Sequence, residues 1–321
     1  MKRSDYPQAG PGLGLATNHA ASTLSAQGQG QKLRQNPTAY GARNAARKNQ
    51  AEDGMLSTQQ GIYELEGSTH DTKKYVNAMG PRGVIGVMTP GPNVNVENEM
   101  MNMRPDGVIN AIDRYYVPNQ KIAANADWEL IMETTRANLD DSVRRLNECL
   151  IDHLILGMSS HSYMGGEKGS FALLEHLEKM SGVEVTMGAQ SAEEAFKLCG
   201  AKRIALLTPY YPVIEQNAVS YFTSRGFEVV HVEGLKCKSI IHVASQTYDD
   251  LRDAVMRCES SKPDAILQLG TNLHFCYVAA AAERWLKKPV FASGTVIYWS
   301  ALRKMGIHDK IRGFGSLLEH H

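Results

Sequence analysis

The segment HLILGMSSHSYMGG, residues 153–166, changes abruptly from an apolar run to a cluster of hydroxyls and glycines. Its first four residues have the length and composition of a fully buried strand. The side chains that follow, from Ser159 to Tyr163, carry hydrogen-bond donors and no ionisable group with a pKa near neutrality except one histidine. Because ligands collect beyond the carboxyl ends of parallel strands, this ending predicts a strand that carries functional residues.

Strand and helix patterns alternate on both sides of this segment. Apolar runs predict strands at 82–91 and 202–211, and helical spacing predicts helices at 126–150 and at 191–201, the latter with Ser191 as its N-cap. Strands that alternate with helices of this length predict parallel βαβ units and an α/β fold. The helix at 126–150 should bury one side, formed by Leu130, Ile131, Leu139, Val143, Leu146 and Leu150.

A weak internal repeat divides this α/β region into two halves. GVIGVMTPG (83–91) resembles RIALLTPYY (203–211), and HLILGMSSHSY (153–163) resembles DAILQLGTNLHF (264–275). We therefore expect two pseudo-symmetric halves, each built on a parallel sheet. Four polar strand ends that face one another would form a single cleft between the halves. The predicted boundaries are 81–190 for the first half, 191–290 for the second, and 291–317 for a C-terminal strand and helix that pack back on the first half.

The two ends of the chain differ from this pattern. Within a predicted N-terminal extension at 1–80, residues 1–53 are low in complexity and rich in Gly, Ala, Gln, Asn and Ser. Such a composition does not bury enough apolar surface to fold alone, so we expect a flexible tail, or alternatively an arm that orders on a partner subunit. The last residues, 318–321, resemble the start of a vector-encoded histidine tag.

Composition limits the classes of function. The 321 residues contain 34 Lys and Arg against 34 Asp and Glu, a balance that favours neither nucleic acid nor an anionic membrane as partner. No apolar run reaches the roughly 18 residues of a membrane helix, and five cysteines without a CxxC pair favour a reducing cytoplasm. We find no metal-ligand spacing and no phosphate-binding glycine motif after a strand, so we predict neither a metal nor a nucleotide cofactor.

The polar strand ends supply the candidate site residues. Ser159 and Ser160, with nearby backbone N–H groups and the phenol of Tyr210, are suited to surround a carboxylate or a developing enolate. For a single serine, an N-cap is the alternative, but four polar strand ends together favour a site. His161 and His274 are candidate proton carriers, or structural hydrogen-bonding residues. The candidate substrate-binding residues are Asn93, Asn95, Gly270, Thr271 and Asn272.

The order and spacing of these motifs resemble those of the maleate isomerase and arylmalonate decarboxylase family, within the aspartate/glutamate racemase superfamily. The resemblance covers about residues 81–315. It rests on TPGPNVNVENEM (89–100), LGMSSHSYMGG (156–166), GAKRIALLTPYYPVIEQN (200–217), LQLGTNLHF (267–275) and KPVFASGTVIYWSALRKMGI (288–307). It implies two α/β halves with the site between them, no metal and no organic cofactor.

The chain departs from the family at its cysteines. Where the family carries a cysteine at one or both paired strand ends, this sequence has Met158 and Gly270. A mechanism that uses two thiols is therefore disfavoured. The decarboxylase branch lacks the first cysteine and holds an enediolate in a hydroxyl-rich pocket, which the segment around Ser160 resembles.

These observations lead to three functional hypotheses. The leading one is a cofactor-independent lyase, a decarboxylase of a small carboxylic acid that acts through an enolate-like intermediate. A cis–trans isomerase or racemase of a small carboxylate is the second, and a non-catalytic carboxylate-binding protein is the third. In each case the expected partner is a small carboxylate, and the sequence leaves a homo-oligomer open.

Overall fold

The structure, a computed structural model, describes residues 77–321. The predicted N-terminal extension lies outside the described residues up to residue 76. Within the described part of the chain, no helix is both long and apolar enough to cross a membrane.

The first half of the described chain is a four-stranded parallel sheet with helices packed around it. Its strands are in the order β2-β1-β3-β4. Strand β1 is buried along its whole length, which explains its nearly continuous apolar sequence. The elements are β1 (Gly83–Pro90), α1 (Asn95–Asn102), β2 (Val108–Tyr115), α2 (Asn125–Asn147), β3 (His153–Leu156), α3 (Ser159–Tyr163), α4 (Gly166–Ser181) and β4 (Glu184–Thr186).

The second half repeats this arrangement with its own parallel sheet, in the order β6-β5-β7-β8. Helix α5 (Gly188–Cys199) connects the two sheets. The elements that follow are β5 (Arg203–Thr208), α6 (Pro212–Ser224), β6 (Glu228–Gly234), α7 (Ile240–Ala244), α8 (Tyr248–Glu259), β7 (Ala265–Gln268), α9 (Cys276–Leu286) and β8 (Val290–Ala292), and the chain continues into α10 (Ser293–Lys304) and α11 (Ser316–His320).

The two sheets have the same strand order, which confirms the predicted α/β fold with two pseudo-symmetric halves. The sequence repeat corresponds to β1 with β5 and to β3 with β7, the two central strands of each sheet. The predicted polar segments directly follow the carboxyl ends of these four strands. Because both sheets are parallel throughout, these ends lie at one edge of each sheet.

Strands β2 and β4 were not predicted. Strand β2 lies at the edge of its sheet and is only partly buried, with Asp113 and Arg114 in its sequence, so it lacks an apolar run. Strand β4 has three residues, too few for a periodic pattern. Edge position and short length are the reasons that sequence periodicity did not detect them.

Two predicted details of the helices are wrong. Leu130 and Leu150 do not face the core, because Leu130 is displaced by about 100° from its neighbour Ile131 on the buried face of α2, and Leu150 follows the end of that helix. Ser191 is not the N-cap of α5, since the helix begins at Gly188 and the Ser191 hydroxyl donates to the carbonyl of Met187 at 2.9 Å.

The C-terminal segment belongs to both halves. Strand β8 pairs with β7 in the second sheet, and α10 then packs against α1, β3 and β4 of the first half and against α5. Leu318, within the segment that resembles a tag, is fully buried, and its carbonyl accepts a hydrogen bond from the Ile311 N–H at 2.9 Å.

An ion cluster around the buried carboxylate of Glu193 joins α4, α5 and α6. Arg225, directly after α6, donates to both carboxylate oxygens of Glu193 on α5, at 2.8 and 2.9 Å, and to Glu167 on α4 at 2.8 Å. Burial alone would raise the pKa of Glu193, but hydrogen bonds from Arg225 and Lys197 outweigh it and lower that pKa to about 2. Glu193 is therefore ionised in the folded protein well below the pH at which a free glutamate is protonated.

We expect this cluster to make folding stability depend on pH in the acid range. Because the folded pKa of Glu193 is depressed from 4.5 to about 2, its contribution is present above pH 4.5 and disappears as the pH falls toward 2. Glu193→Gln should be less stable than the wild type at pH 7 and approach it near pH 2, in unfolding monitored by circular dichroism. Lys197→Gln, which keeps the Arg225 pair, should retain most of the pH dependence. Parallel pH profiles for wild type and Glu193→Gln would contradict this assignment.

Candidate active site

The carboxyl ends of β1, β3, β5 and β7 surround one small, partly open cavity. Its volume of about 30 Å³ is small for a ligand pocket. The lining residues are Pro90, Asn93, Trp128, Met158, Ser160, Pro209, Tyr210, Ile240, Val243, Gly270, Thr271 and Asn272.

The cavity lining is mostly apolar, with five polar residues among twelve and no charged side chain among the described residues. Hydroxyl and amide groups of Asn93, Ser160, Tyr210, Thr271 and Asn272 form the polar part. A larger depression of about 490 Å³ lies along α6 and at Val232 of β6, and none of the predicted site residues lines it. The smaller cavity is the one that six of the ten predicted site residues line.

Ser160 is the central donor of the polar wall. Its side chain is fully buried, and its Oγ has no hydrogen-bond partner of normal geometry in the part of the chain that the structure describes. Helix α3 begins at Ser159 after Met158, with no side-chain capping bond, so neither serine acts as the N-cap. An unpaired buried hydroxyl at a cavity is the arrangement expected of a group that binds a ligand.

Tyr210 lies against Ser160 on the opposite side of the cleft. Burial raises the pKa of its phenol, and the hydroxyl groups of Ser160 and Ser159 and the Ser160 backbone N–H act in the opposite direction. Tyr210 is therefore a neutral hydroxyl donor at neutral pH. Ser159 does not line the cavity, and its Oγ lies 3.3 Å from the Oγ of Ser293.

The predicted asparagines and Thr271 connect the two halves. The Asn93 amide donates to the Thr271 hydroxyl at 3.1 Å, and that hydroxyl donates to the carbonyl of Gly157 at 2.8 Å. Asn95 donates to the carbonyls of Thr271 and Leu273 at 3.1 and 2.9 Å and does not line the cavity. These groups hold the ends of β1, β3 and β7 at a fixed separation.

Asn272 makes the reciprocal connection. Its side-chain oxygen accepts from the Val94 N–H at 3.1 Å, and its amide donates to the carbonyl of Ile240 at 2.8 Å. Asn272 lines the cavity, but both ends of its amide already have protein partners. Asn272 therefore mainly holds the wall of the cavity in place, and contact with a ligand is secondary.

Neither candidate histidine lines the cavity. The Nε2 of His161 is 3.2 Å from the carbonyl of Met132, and burial lowers the pKa of His161 to about 4, so the ring is neutral at pH 7. The Nε2 of His274 is 2.5 Å from the carbonyl of Gln246, and its ring packs edge-on against Tyr248. In both cases the ring nitrogen is paired with a backbone carbonyl, as expected of a structural hydrogen-bonding histidine.

Gly270 occupies a backbone conformation that excludes a side chain. Its φ is +94°, and a Cβ built there would lie 2.5 and 2.7 Å from Cγ and Cδ of Pro209. The same Cβ would lie 3.4 Å from the hydroxyl of Tyr210. The phenol of Tyr210 thus lies next to the position that a cysteine side chain at this strand end would occupy.

Cys276 is buried away from the cavity. Its Sγ accepts from the Thr295 hydroxyl at 3.2 Å, and burial, reinforced by Glu99, raises the pKa of its thiol well above the usual range. Burial also raises the pKa of Glu99. A thiol in such surroundings is a poor nucleophile. Within the described residues, no group of three or more His, Cys, Asp or Glu side chains is arranged to hold a metal ion.

Two functional candidates were missed by the sequence analysis. Tyr115, at the end of the unpredicted strand β2, donates from its hydroxyl to the sulfur of Met158 at 3.1 Å. Trp128 lines the cavity from the first turn of α2, where the sequence alone does not distinguish a tryptophan from an ordinary core residue. A strand assignment for residues 108–115 would have identified Tyr115 as a fifth polar strand end, whereas no sequence signal marks Trp128.

Two pseudo-symmetric parallel-sheet halves, with a neutral pocket at their strand ends, define the architectural class of this chain. Residues 133–318 match the family profile described as arylmalonate decarboxylase. The chain belongs to this family, which confirms the resemblance stated from the motifs.

Curated relatives of low identity extend this result. Maleate isomerase of Geobacillus stearothermophilus is 22% identical over 247 residues, 73% of this chain and 96% of that protein. Maleate isomerase of Nocardia farcinica is 24% identical over 244 residues, 73% of this chain and 94% of that protein.

Solved structures share the fold. A cysteine-to-serine variant of Nocardia farcinica maleate cis-trans isomerase with a covalently bound succinylcysteine intermediate has a TM-score of 0.67 at 20% identity, covering 74% of this chain and 99% of its own. A doubly substituted arylmalonate decarboxylase in the liganded form also has a TM-score of 0.67 at 20% identity, covering 74% of this chain and all of its own.

We expect Gly270→Ala to be strongly destabilising. The positive φ alone costs roughly 1–2 kcal/mol for a residue with a Cβ, and the close approach to Pro209 adds to it. Gly182→Ala is the matched control, because Gly182 has a φ of +70° and nothing within 4 Å of a built Cβ. Urea unfolding of both variants should show the larger loss at position 270, and equal losses would contradict the contact.

We expect iodoacetamide to modify two cysteines of the native protein without loss of turnover. Cys149 and Cys199 are exposed, whereas Cys237, Cys258 and Cys276 are buried. Intact-mass spectrometry should show two adducts. An adduct on Cys276 that forms together with inactivation, and that a carboxylate ligand prevents, would refute the assignment of Cys276 as a structural residue.

Proposed function

We propose that this protein is a cofactor-independent decarboxylase of a small substituted malonate. The observation that carries the proposal is the uncharged cavity at the ends of β1, β3, β5 and β7, where Ser160 presents a buried hydroxyl without a partner. Neutral donors held in place before the reaction stabilise negative charge as it develops, without forming an ion pair that would stabilise the substrate equally.

The proposed reaction begins with cleavage of the bond between the α-carbon and one carboxyl group. The electron pair of that bond becomes part of an enediolate on the remaining carboxyl group, and carbon dioxide leaves. The Ser160 hydroxyl and backbone N–H hold the enediolate oxygens, with the Tyr210 phenol beside them and backbone N–H groups near Thr271 and Asn272 on the facing side. Donors in such positions contribute more as charge accumulates on those oxygens than they do in the ground state.

The reaction ends with transfer of one proton to the α-carbon. We assign this step to Tyr210, whose hydroxyl lies next to the space above Gly270 that a cysteine side chain would otherwise occupy. Because burial raises its pKa, the phenol keeps its proton until a strong base such as the enediolate carbon forms. The resulting phenolate then takes a proton from water, which restores the starting state.

The lining of the cavity supports a preference for one compact carboxylate head and an apolar substituent. Met158, Ile240 and Val243 form part of the wall, and no cationic side chain among the described residues lines it. A second carboxylate held far from the first would therefore be buried without a charged partner, which is unfavourable. A malonate, whose two carboxyl groups share one carbon, places both next to the donors and its substituent against the apolar wall.

Isomerisation of a small dicarboxylate is the second candidate. Four curated relatives are named maleate isomerase, and the two described above each align over more than nine-tenths of their length. Against this candidate stand Met158 and Gly270 at the strand ends where the family carries cysteines.

Turnover of methylmalonate and of maleate distinguishes the candidates. In deuterated water, decarboxylation should release carbon dioxide and give propionate with one deuterium at the α-carbon, followed by proton NMR. Conversion of maleate to fumarate without attack on methylmalonate would favour the isomerase. Binding of both acids without conversion of either would favour the non-catalytic carboxylate-binding protein.

We expect Ser160→Ala to lower kcat on the order of 100-fold while leaving the free energy of unfolding unchanged or slightly higher. The variant loses a donor to the enediolate, but the removed hydroxyl has no partner of normal geometry among the described residues. Ser162→Ala is the matched control on the same helix, because the Ser162 Oγ accepts from the Gly188 N–H at 3.1 Å. That variant should lose about 1–3 kcal/mol of stability and keep its turnover.

Tyr210→Phe should also reduce kcat, and its effect should not add to that of Ser160→Ala because both groups act on one pocket. Normal turnover in Ser160→Ala with a lowered melting temperature would remove this site from the mechanism.

A further inference from the structure

Two buried donors that line the cavity have no hydrogen-bond partner within the described residues. One is the Ser160 hydroxyl, and the other is the indole Nε1 of Trp128, whose side chain is 2% exposed. Buried tryptophan N–H groups usually find an acceptor, because leaving one unpaired is unfavourable. The proposed reaction uses Ser160 and gives no role to Trp128.

Trp128 reaches the cavity because the segment before it crosses from the first half to the second. The Ile122 N–H donates to the carbonyl of Lys238 at 2.8 Å, and the Asn125 side chain accepts from the Val213 N–H at 3.2 Å. These two bonds fix the start of α2 against the second half. The indole of Trp128 consequently meets the Tyr210 ring edge-on, with ring centroids 5.0 Å apart and an interplanar angle of 88°.

An unpaired indole N–H by itself does not define a ligand site in this protein. Trp299, on α10, also has a buried Nε1 without a partner in the described chain, yet Trp299 does not line the cavity. Trp128 differs in two respects, since it forms part of the cavity wall and packs directly on Tyr210 beside the unpaired Ser160. The two unpaired groups are thus gathered around one space.

We propose that the indole N–H of Trp128 is a substrate-binding donor, contributed by the first half, that holds one carboxylate oxygen of the ligand. This inference rests on the proposed function, since it assumes that a carboxylate occupies the cavity. Ser160 supplies donors to one oxygen, and the second oxygen of the same carboxylate takes the indole N–H. An indole is a donor only, so this contact selects an oxygen acceptor and rejects an amide NH₂ group at that position.

The experiment removes the N–H while preserving the shape of the ring. Wild-type protein is compared with protein carrying 3-benzothienylalanine at position 128, in which sulfur replaces the indole N–H, and with Trp128→Phe. Trp299→Phe is the matched control, because it removes an equally unpaired N–H outside the cavity. Calorimetric titration with methylmalonate gives Kd, and thermal unfolding without ligand gives the intrinsic stability of each protein.

We expect the benzothienylalanine protein to bind methylmalonate about 10- to 100-fold more weakly than the wild type, the effect of losing one hydrogen bond to a charged acceptor. Its melting temperature without ligand should be equal to or above that of the wild type, because an unsatisfied donor has been removed. Trp128→Phe should weaken binding at least as much, and Trp299→Phe should leave Kd unchanged.

Unchanged affinity in the benzothienylalanine protein, with wild-type binding intact, overturns the role of Trp128 and leaves the proposed function standing. A wild-type protein that binds neither methylmalonate nor maleate overturns the proposed function, and the inference falls with it. If Trp299→Phe weakened binding as much as Trp128→Phe, the loss would be a general consequence of truncating a tryptophan ring, and the specific contact of Trp128 would be overturned.

Discussion

The hydrogen bonds between the β1–α1 loop and the β7–α9 loop are the constraint on which the rest of the site depends. Asn93 and Asn95 from one half reach Thr271, while Asn272 from the other half holds the backbone at Val94. Each bond connects a side chain of one half to a loop of the other, so the separation of the strand ends is fixed by short amide groups. With that separation fixed, the space between the strand ends is small, and the few donors that remain unpaired around it are available to a ligand.

Under the proposed function, this arrangement would let the site operate with no charged side chain among the described residues that line it. An arginine or lysine would bind a carboxylate strongly before and during the reaction alike, which does not accelerate the chemical step. Hydrogen bonds from neutral hydroxyl and N–H donors strengthen most when charge concentrates on a carboxylate oxygen. Burial serves the same purpose, because it raises the pKa of Tyr210 and keeps that group protonated until a strong base appears. Burial of the strand ends therefore underlies both the cavity and the raised pKa of Tyr210.

Gly270 occupies the strand end where the resemblance leads one to expect a thiol. Its positive φ and the approach of Pro209 leave no room for a Cβ, so the backbone at this position does not accommodate a side chain. Gln268, the last residue of β7, donates to the carbonyl of Gly270 at 2.7 Å and helps to hold this conformation. The phenol of Tyr210 lies next to this position instead, at the strand end where the resemblance leads one to expect a cysteine.

The sequence by itself determined the α/β class, the division into two halves and the strand ends that carry the site, because buried parallel strands are continuous apolar runs and their polar endings are local features. It also identified six residues that line the cavity, among them Ser160 and Tyr210. Only the tertiary structure separated groups that remain unpaired, such as the Ser160 hydroxyl, from those already engaged, such as Asn95, since hydrogen-bond partners more than 170 residues apart leave no local pattern. The same holds for Trp128, which belongs to a helix of the first half and becomes part of the site because the preceding segment packs on the second.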